Sequence, residues 1–413
     1  MKIAILGAGI VGLASAWWLS HDGHDVVVID RAVDVGQGTS FANGAQLSYS
    51  YVAPMASRAV LASLPKYLLS PSSPIRFVPR PDRAQWLWVA EFLRACNADT
   101  AALNTARLLA LSFASRDALH EMLARTPMAF DHARNGKLVL PASLAGLRDA
   151  EAQVRLQAVM GCEQQVLTTA ECLAAEPGLA SIAQRLVGGV LTRSEEVGDC
   201  RKLCEELRRV LQPQVTFALG RTIERLRIDG RRVAGVETAT GLIEADLYVL
   251  AAGIASRELG AQAGVTLRMQ PIRGYSITAD VRHANLAPRH SITDLHRKTV
   301  FAPVGGRMRL AGFAEIGGRG QTIPPPRIAT LVRTLETTFP GACALEDVHP
   351  WSGFRPATPT DVPVVGRSRL DNLLLNLGHG SLGFTLSAGS GRLLADIVAG
   401  RPAAIPEVDY ALR

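Results

Sequence analysis

Gly7, Gly9 and Gly12, in the segment GAGIVG, constrain this chain more than any other feature of its sequence. They follow directly on Lys2–Leu6 (KIAIL), a short apolar run of the kind that forms a buried parallel strand. LASAWWLSHDG then reads as a helix, and DVVVI from Asp25 as a second β-branched strand ending in Asp30. Each part has a physical task. Gly7 permits the tight turn, Gly9 lets the backbone approach a pyrophosphate, and Gly12 lets helix and strand pack closely. The helix aims free N–H groups and its positive dipole end at phosphates, and Asp30 can accept hydrogen bonds from ribose hydroxyls. A lone G-x-G-x-x-G says little. Strand, glycines, helix, strand and acid in that order predict a dinucleotide site without deciding between NAD and FAD.

The same residues imitate a different signal. One lysine, a long apolar run and Ala14-Ser15-Ala16 resemble a secretory leader or a marginal membrane span. The glycine register argues against both, and no signal peptide or transmembrane segment is expected. Six cysteines scattered over 413 residues, with Cys200 and Cys204 four apart rather than in a C-x-x-C pair, predict reduced thiols and a cytoplasmic chain. The histidines show no metal-ligand spacing, so no metal is expected. A formal net charge of +7 arises from isolated pairs such as Arg208-Arg209, not from basic runs. It reads as a solvated basic surface; contact with anionic lipid is the sharper alternative, and nucleic acid is not expected because no recognition motif accompanies the charge.

Farther along, residues 39–51 are small and polar, as a loop lying on a ligand would be. Residues 54–81 are proline-rich and dotted with Tyr67, Leu68, Leu69, Ile75 and Phe77, which read as core packing or as a surface meeting a membrane or partner. Helical periodicity runs over 85–125 and a strand over 136–141. Asp199 is a good N-cap for a helix whose Leu203, Leu207, Val210 and Leu211 share one face. Residues 245–253 form a buried strand ending in Ala252 and Gly253, and 273–279 and 300–313 read as antiparallel strands of a second domain. Near the end, Leu373–Leu377 leads into Gly378-His379-Gly380-Ser381-Leu382-Gly383-Phe384-Thr385 and a helix closed by Gly400. Two glycine-rich helix starts at opposite ends of the chain suit a long cofactor. A reduced flavin carries negative charge that a helix N-terminus favours, so FAD is preferred.

With these segments in hand, the chain resembles the D-amino-acid oxidase (DAO) superfamily, and within it the bacterial D-amino acid dehydrogenases. The resemblance rests on ILGAGIVGLASAWWL with VVVIDR, ANGAQLSYSYVAP, EVGDC, IRGYSIT, WSGFRPATPTDVPVVGR and LNLGHGSLGFTLSAGSGRLLADIVAGR, which span nearly the whole chain in order. It implies an α/β fold: a Rossmann-like, glutathione-reductase-type FAD-binding domain with a second, mixed-sheet α+β substrate domain. The FAD domain would be discontinuous, from 1–50, 195–265 and 350–413, with 51–194 and 266–349 forming the substrate domain. Expected cofactor contacts are Gly7, Gly9, Ile10, Val11, Gly12, Asp30, Arg31 and Ser40, then Asn43, Gly44, Gln46 and Leu47 beside the flavin ring. Ala252, Gly253, Gly380, Leu382, Gly383 and Thr385 complete the set. Arg355 matches the family arginine that pairs with the substrate carboxylate, and Tyr51 and Tyr275 are candidate pocket residues. Arg355, Tyr275 and His379 are the catalytic candidates.

Two departures stand out. The family often reads Pro-Asp-Gly-x-Pro after the arginine, where this chain has Pro359-Thr360-Asp361-Val362-Pro363, and Asn-Ala-Gly where this chain has Asn43-Gly44-Ala45. Relatives that bind FAD covalently do so through a cysteine just before the last segment. None lies between Asp347 and Arg413, so non-covalent FAD is expected.

The implied reaction is oxidative deamination of D-amino acids, prolines included, by hydride transfer from Cα to flavin N5. Electrons would pass to a respiratory quinone or another acceptor, and a peripheral attachment to the inner membrane would use the basic surface. A guanidinium suits the carboxylate because it binds bidentately and stays charged; its bland reading is a structural ion pair. His379, between two glycines, reads as a base or as a packing residue. An oxygen-reducing oxidase of glycine, sarcosine or a proline derivative is the neighbouring alternative, and a redox-silent FAD-binding partner subunit the alternative from another class.

Overall fold

The computed structural model describes residues 1–58, 60–61, 73–318, 320 and 322–412. Tyr67, Leu68 and Leu69 lie outside the described residues.

One sheet has the strand order Val364–Arg367, Leu373–Leu377, Leu247–Leu250, Lys2–Leu6, Asp25–Ile29, Val215–Ala218. All neighbours are parallel except the antiparallel edge strand Val364–Arg367. It thus gathers strands from the beginning, middle and end of the chain. Its central strands are apolar on both faces because both sides are covered, which is why KIAIL and DVVVI show no alternation. Helices such as Ile10–His21 and Gly383–Ala399 cover one side; the small antiparallel sheet Ile223–Asp229, Arg232–Thr238, Gly241–Ile243 with the helix Ser256–Gln262 covers the other. The helix Ile10–His21 follows the glycine turn with Leu13, Ala14, Trp17, Trp18 and Leu19 all buried. A helix apolar nearly all round is a core helix. Here the last helix, Gly383–Ala399, packs across it, and that burial accounts for the leader-like composition of the N-terminus.

The second, mixed sheet runs His349–Ala357, Gln270–Asp280, Arg307–Ile316, Thr299–Val304, Ser291–Asp294, Lys137–Leu140, Gly189–Thr192, Gln165–Leu167, with Ile75–Phe77 beside Arg307–Ile316. Phe301, Leu310, Ile277 and Leu335 are in the core on one of its faces. The expected strand over 300–313 is two strands, joined by the turn at Gly305 and Gly306, both at positive φ. His349–Ala357 hydrogen-bonds to Gln270–Asp280 in this sheet. The chain therefore returns to the parallel sheet after Ala357, not at residue 350.

The helical run over 85–125 is also divided, into Arg83–Ala95 and Ala98–Arg125. Asp82 caps the first by accepting from Ala84 N at 3.0 Å, and Asn97 the second by accepting from Thr100 N at 2.9 Å. Asp199 caps Cys200–Leu211 as its residue type predicts. All six cysteines are free and buried.

Candidate active site

A cavity of about 1220 Å³ is lined by residues of both large sheets and of the loops between them. At one end of it, Gly7 makes the tight turn and Gly12 the close packing that their spacing predicts. Gly7 sits at φ +123°, and a Cβ there would lie 2.5 Å from Ala251 O; a Cβ on Gly12 would lie 2.0 Å from Gly7 O. Asp30 accepts from Ala8 N through Oδ2 and from Ala32 N through Oδ1, both at 2.8 Å. Those two bonds fix the carboxylate, and each oxygen keeps a lone pair for a ribose hydroxyl. Ser40 Oγ accepts from Ile10 N at 3.1 Å and ties the following loop to the helix start.

The C-terminal glycine cluster meets the same cavity. Gly380 turns the chain at φ +52°, and the helix Gly383–Ala399 begins on the cavity wall. Thr385 Oγ1 accepts from Ser48 N at 3.0 Å, which joins that helix to the loop that carries Asn43, Gly44 and Gln46. Gln46 Nε2, Thr293 Oγ1 and Asn376 Oδ1 are buried, belong to residues lining the cavity, and find no partner among the described residues. Buried polar atoms of this kind call for a ligand. Two helix N-termini, an anchored acid and orphaned amide and hydroxyl groups form a set of donors and acceptors that fits a long anionic dinucleotide with a polar ring, as FAD is.

The second sheet covers the other side. Arg355 emerges from the strand His349–Ala357 opposite Ile272, and Gly274 makes room for it: a Cβ there would lie 2.6 Å from Arg355 Nη2. Arg355 Nη1 donates to Phe313 O at 3.0 Å, and its remaining N–H groups have no acceptor among the described residues. Tyr275 lines the cavity, but its hydroxyl is spent on Glu315 Oε2 at 2.7 Å, so it offers a ring and not a proton. Burial, with Glu315 beside it, pushes its pKa up to about 12. Tyr51 is likewise pushed up to about 12 by burial, and Lys137 Nζ stands 4.5 Å from its ring centroid.

His379 is buried, with Nε2 3.0 Å from Ser390 Oγ in the last helix. Burial lowers its pKa to about 3. A neutral ring already bonded to a hydroxyl is a packing group with little to offer as a base.

Of the residues expected at the site, Gly12 and Leu47 do not line the cavity. Gly12 serves only the packing of helix on strand, and Leu47 points into the core because Gln46 and Ser48 on either side of it face the cavity. Sequence reasoning missed Lys137. Its Nζ donates to Ser48 Oγ at 2.7 Å, and burial lowers its pKa to about 8 while nearby Glu195 opposes the shift. Glu195 accepts from Tyr49 N at 2.8 Å and Ser50 N at 2.7 Å. Asp361, noticed in the sequence only as a departure, also lines the cavity.

The protein-family model described as FAD dependent oxidoreductase (DAO) matches residues 2–397. The chain is 44% identical over 423 residues to a D-amino acid dehydrogenase 2 of Ralstonia nicotianae, covering all of both chains. It is 44% identical over 414 residues to a D-amino acid dehydrogenase 2 of Pseudomonas aeruginosa, covering 98% of this chain and 96% of that one. Among solved structures, a glycine oxidase of Bacillus cereus superposes with a TM-score of 0.76 at 18% identity, covering 100% of this chain and 98% of the other. At that identity the likeness is one of fold.

Proposed function

The chain belongs to the DAO family of FAD-dependent oxidoreductases, and from that premise we propose that it oxidises D-amino acids at the carbon–nitrogen bond. The observation that carries the reading is Arg355: a guanidinium with open donors on the wall of the same cavity that presents the dinucleotide cradle. The curated relatives at 44% identity, named as D-amino acid dehydrogenases, support both the substrate class and the stereochemistry.

Bound FAD supplies the two-electron acceptor for the hydride that leaves Cα. The protein's part is positioning and electrostatics. Arg355 pairs with the substrate carboxylate bidentately, and Gly274 and Phe313 O hold the guanidinium in place for it. The Tyr275 ring, pinned by Glu315, and Tyr51 form apolar walls that exclude water. The imine released hydrolyses to a 2-oxo acid and ammonia, or stays cyclic when the substrate is a proline. FAD is held without a covalent bond; no cysteine is among the described residues lining the cavity, and flavin remaining in an acid-precipitated pellet would overturn this.

We further propose that electrons leave to an acceptor other than dioxygen, a respiratory quinone reached by peripheral contact with the membrane. The name dehydrogenase carried by the relatives supports the first part. Trp86 and Leu93, 48% and 41% exposed on the helix Arg83–Ala95, support the second. Among the described residues no helix is long and apolar enough to cross a membrane. Formation of a 2-oxo acid and ammonia from a D-amino acid with an artificial electron acceptor tests the reaction. Peroxide release in air would contradict the acceptor assignment, and failure to sediment with anionic liposomes would contradict the contact.

A further inference from the structure

Arg355 shares its wall of the cavity with a group of opposite charge. Asp361 follows the same strand, in the turn that leads back to the parallel sheet. It adopts φ +60°, a left-handed conformation that residues other than glycine rarely take. The turn places its carboxylate on the cavity lining, with Oδ1 3.3 Å from where a Cβ on Gly380 would stand. Oδ2 is occupied, accepting from Met55 N at 2.6 Å. Oδ1 accepts no hydrogen bond from the described residues. The groups facing it are the Met55 backbone, the Gly380 turn, and Arg355, the one charge among the described residues that bears on it. A carboxylate in this setting has an open acceptor and no cation in hydrogen-bonding contact.

The substrate class supplies what is missing. An amino acid near neutral pH is a zwitterion, with its carboxylate and ammonium on the same carbon. Arg355 and Asp361 line the same cavity and bear on each other's charge, so a substrate whose carboxylate pairs with Arg355 has an anionic group on the same wall for its ammonium. That ammonium cannot stay as it is, because a C=N bond forms only when the nitrogen has a free lone pair to replace the departing hydride.

We propose that Asp361 receives the amine end of the substrate, its Oδ1 accepting the proton that the ammonium loses before the Cα–H bond breaks. The proposal rests on the amino-acid reading above and deepens it. In this step an N–H bond breaks and an O–H bond forms on Asp361, while the electron pair stays on nitrogen. The substrate passes from zwitterion to anion and Asp361 from carboxylate to carboxylic acid; no oxidant is consumed. The proton returns to solvent after the product leaves. Burial raises the Asp361 pKa to about 6, with the Met55 N–H and Arg355 opposing, which suits a group that must both take and release a proton near neutrality.

The bland alternative is a latch: Asp361 merely fastens the loop at Met55. Asp361→Asn separates the two, since an asparagine oxygen still accepts from Met55 N and asparagine tolerates the left-handed region. Asp361→Gly, which removes the backbone conflict, is the second variant should the first fold poorly. The holoenzymes are mixed anaerobically with a D-amino acid from pH 6 to pH 10, and the rate of flavin bleaching is followed. Binding of benzoate, a carboxylate without an amine, is measured alongside through the flavin spectrum. Benzoate should bind as in the wild type. Bleaching in both variants should fall about 100-fold at pH 7 and climb back toward the wild-type rate as the free substrate amine loses its own proton. A variant whose pH profile superimposes on that of the wild type, or drops equally at every pH, overturns the proposal while leaving the enzyme reading intact. A wild-type flavin that no amino acid bleaches overturns both.

Discussion

Gly391 in the last helix rests directly on Ala14 in the first: a Cβ at Gly391 would lie 2.9 Å from the Ala14 carbonyl carbon. One further contact holds the same crossing: Trp18 Nε1 donates to Ala388 O at 3.0 Å. On another side of the last helix, a Cβ at Gly389 would lie 2.7 Å from the backbone of Ser115 in the helix Ala98–Arg125. The helices that begin at the two glycine clusters are therefore locked to each other by backbone proximity.

Gly391→Ala forces those backbones apart. Overpacking of this kind costs about 1–3 kcal/mol, visible as a lower denaturant midpoint in chemical unfolding. Because both helix starts line one cavity, flavin retention on a desalting column should fall with it. Unchanged stability and retention would show that the crossing can relax.

Arg355→Ala should leave the flavin bound and raise KM for the D-amino acid by about 100-fold or more, the loss of a charge-assisted bidentate contact. Arg355→Lys should recover only part of it, since an ammonium cannot present two parallel donors. Steady-state kinetics with a dye acceptor measure both. Unaltered KM in the alanine variant would reduce Arg355 to a structural role.

Lys137 and Glu195 are both buried and meet through Ser48. Removing one of two compensating buried charges costs about 3–5 kcal/mol, whereas removing both is far milder. Lys137→Met should thus destabilise strongly, and Lys137→Met with Glu195→Gln should recover much of the loss in thermal unfolding. A double variant no better than the single one would contradict the pairing.

His379 gives a dependence on pH. Burial holds the folded imidazole at about 3, whereas the unfolded one titrates near its ordinary value of about 6.5. Between those values the unfolded chain binds a proton that the folded chain refuses. Stability is therefore full above the unfolded pKa and falls on acidification, by at most about 1.4 kcal/mol per pH unit. Asp361, raised to about 6, works in the opposite sense over the pH range between its unfolded and folded values. The measurement is thus a comparison: His379→Asn should lose less stability than wild type between pH 6.5 and pH 5 (~1 kcal/mol or more). Parallel curves would place the imidazole in a more solvated setting.

What the sequence reveals follows from how local each constraint is. Gly7 and Asp30 are legible because a turn, a close approach and a strand end dictate them within thirty residues. The run over 85–125 reads as one helix because its apolar period carries across Cys96 and Asn97, although Asn97 is a good cap residue. Arg355 is visible only through family resemblance, since nothing in its neighbourhood marks one arginine among many. Lys137 gives no signal at all: its partner Ser48 lies 89 residues away, and only tertiary burial turns a strand-end lysine into a cavity residue. Asp361 shows as a departure from a pattern, but its left-handed φ and its place beside Arg355 come from the fold.

The most direct test is an anaerobic titration of the purified protein with matched D- and L-amino acids, prolines included, while the visible flavin band is followed. Bleaching by D-isomers and not by L-isomers is the predicted result, and it reports cofactor, reaction and stereochemistry together. A yellow protein whose band no amino acid diminishes would contradict the account and point to a flavin-binding subunit without this chemistry.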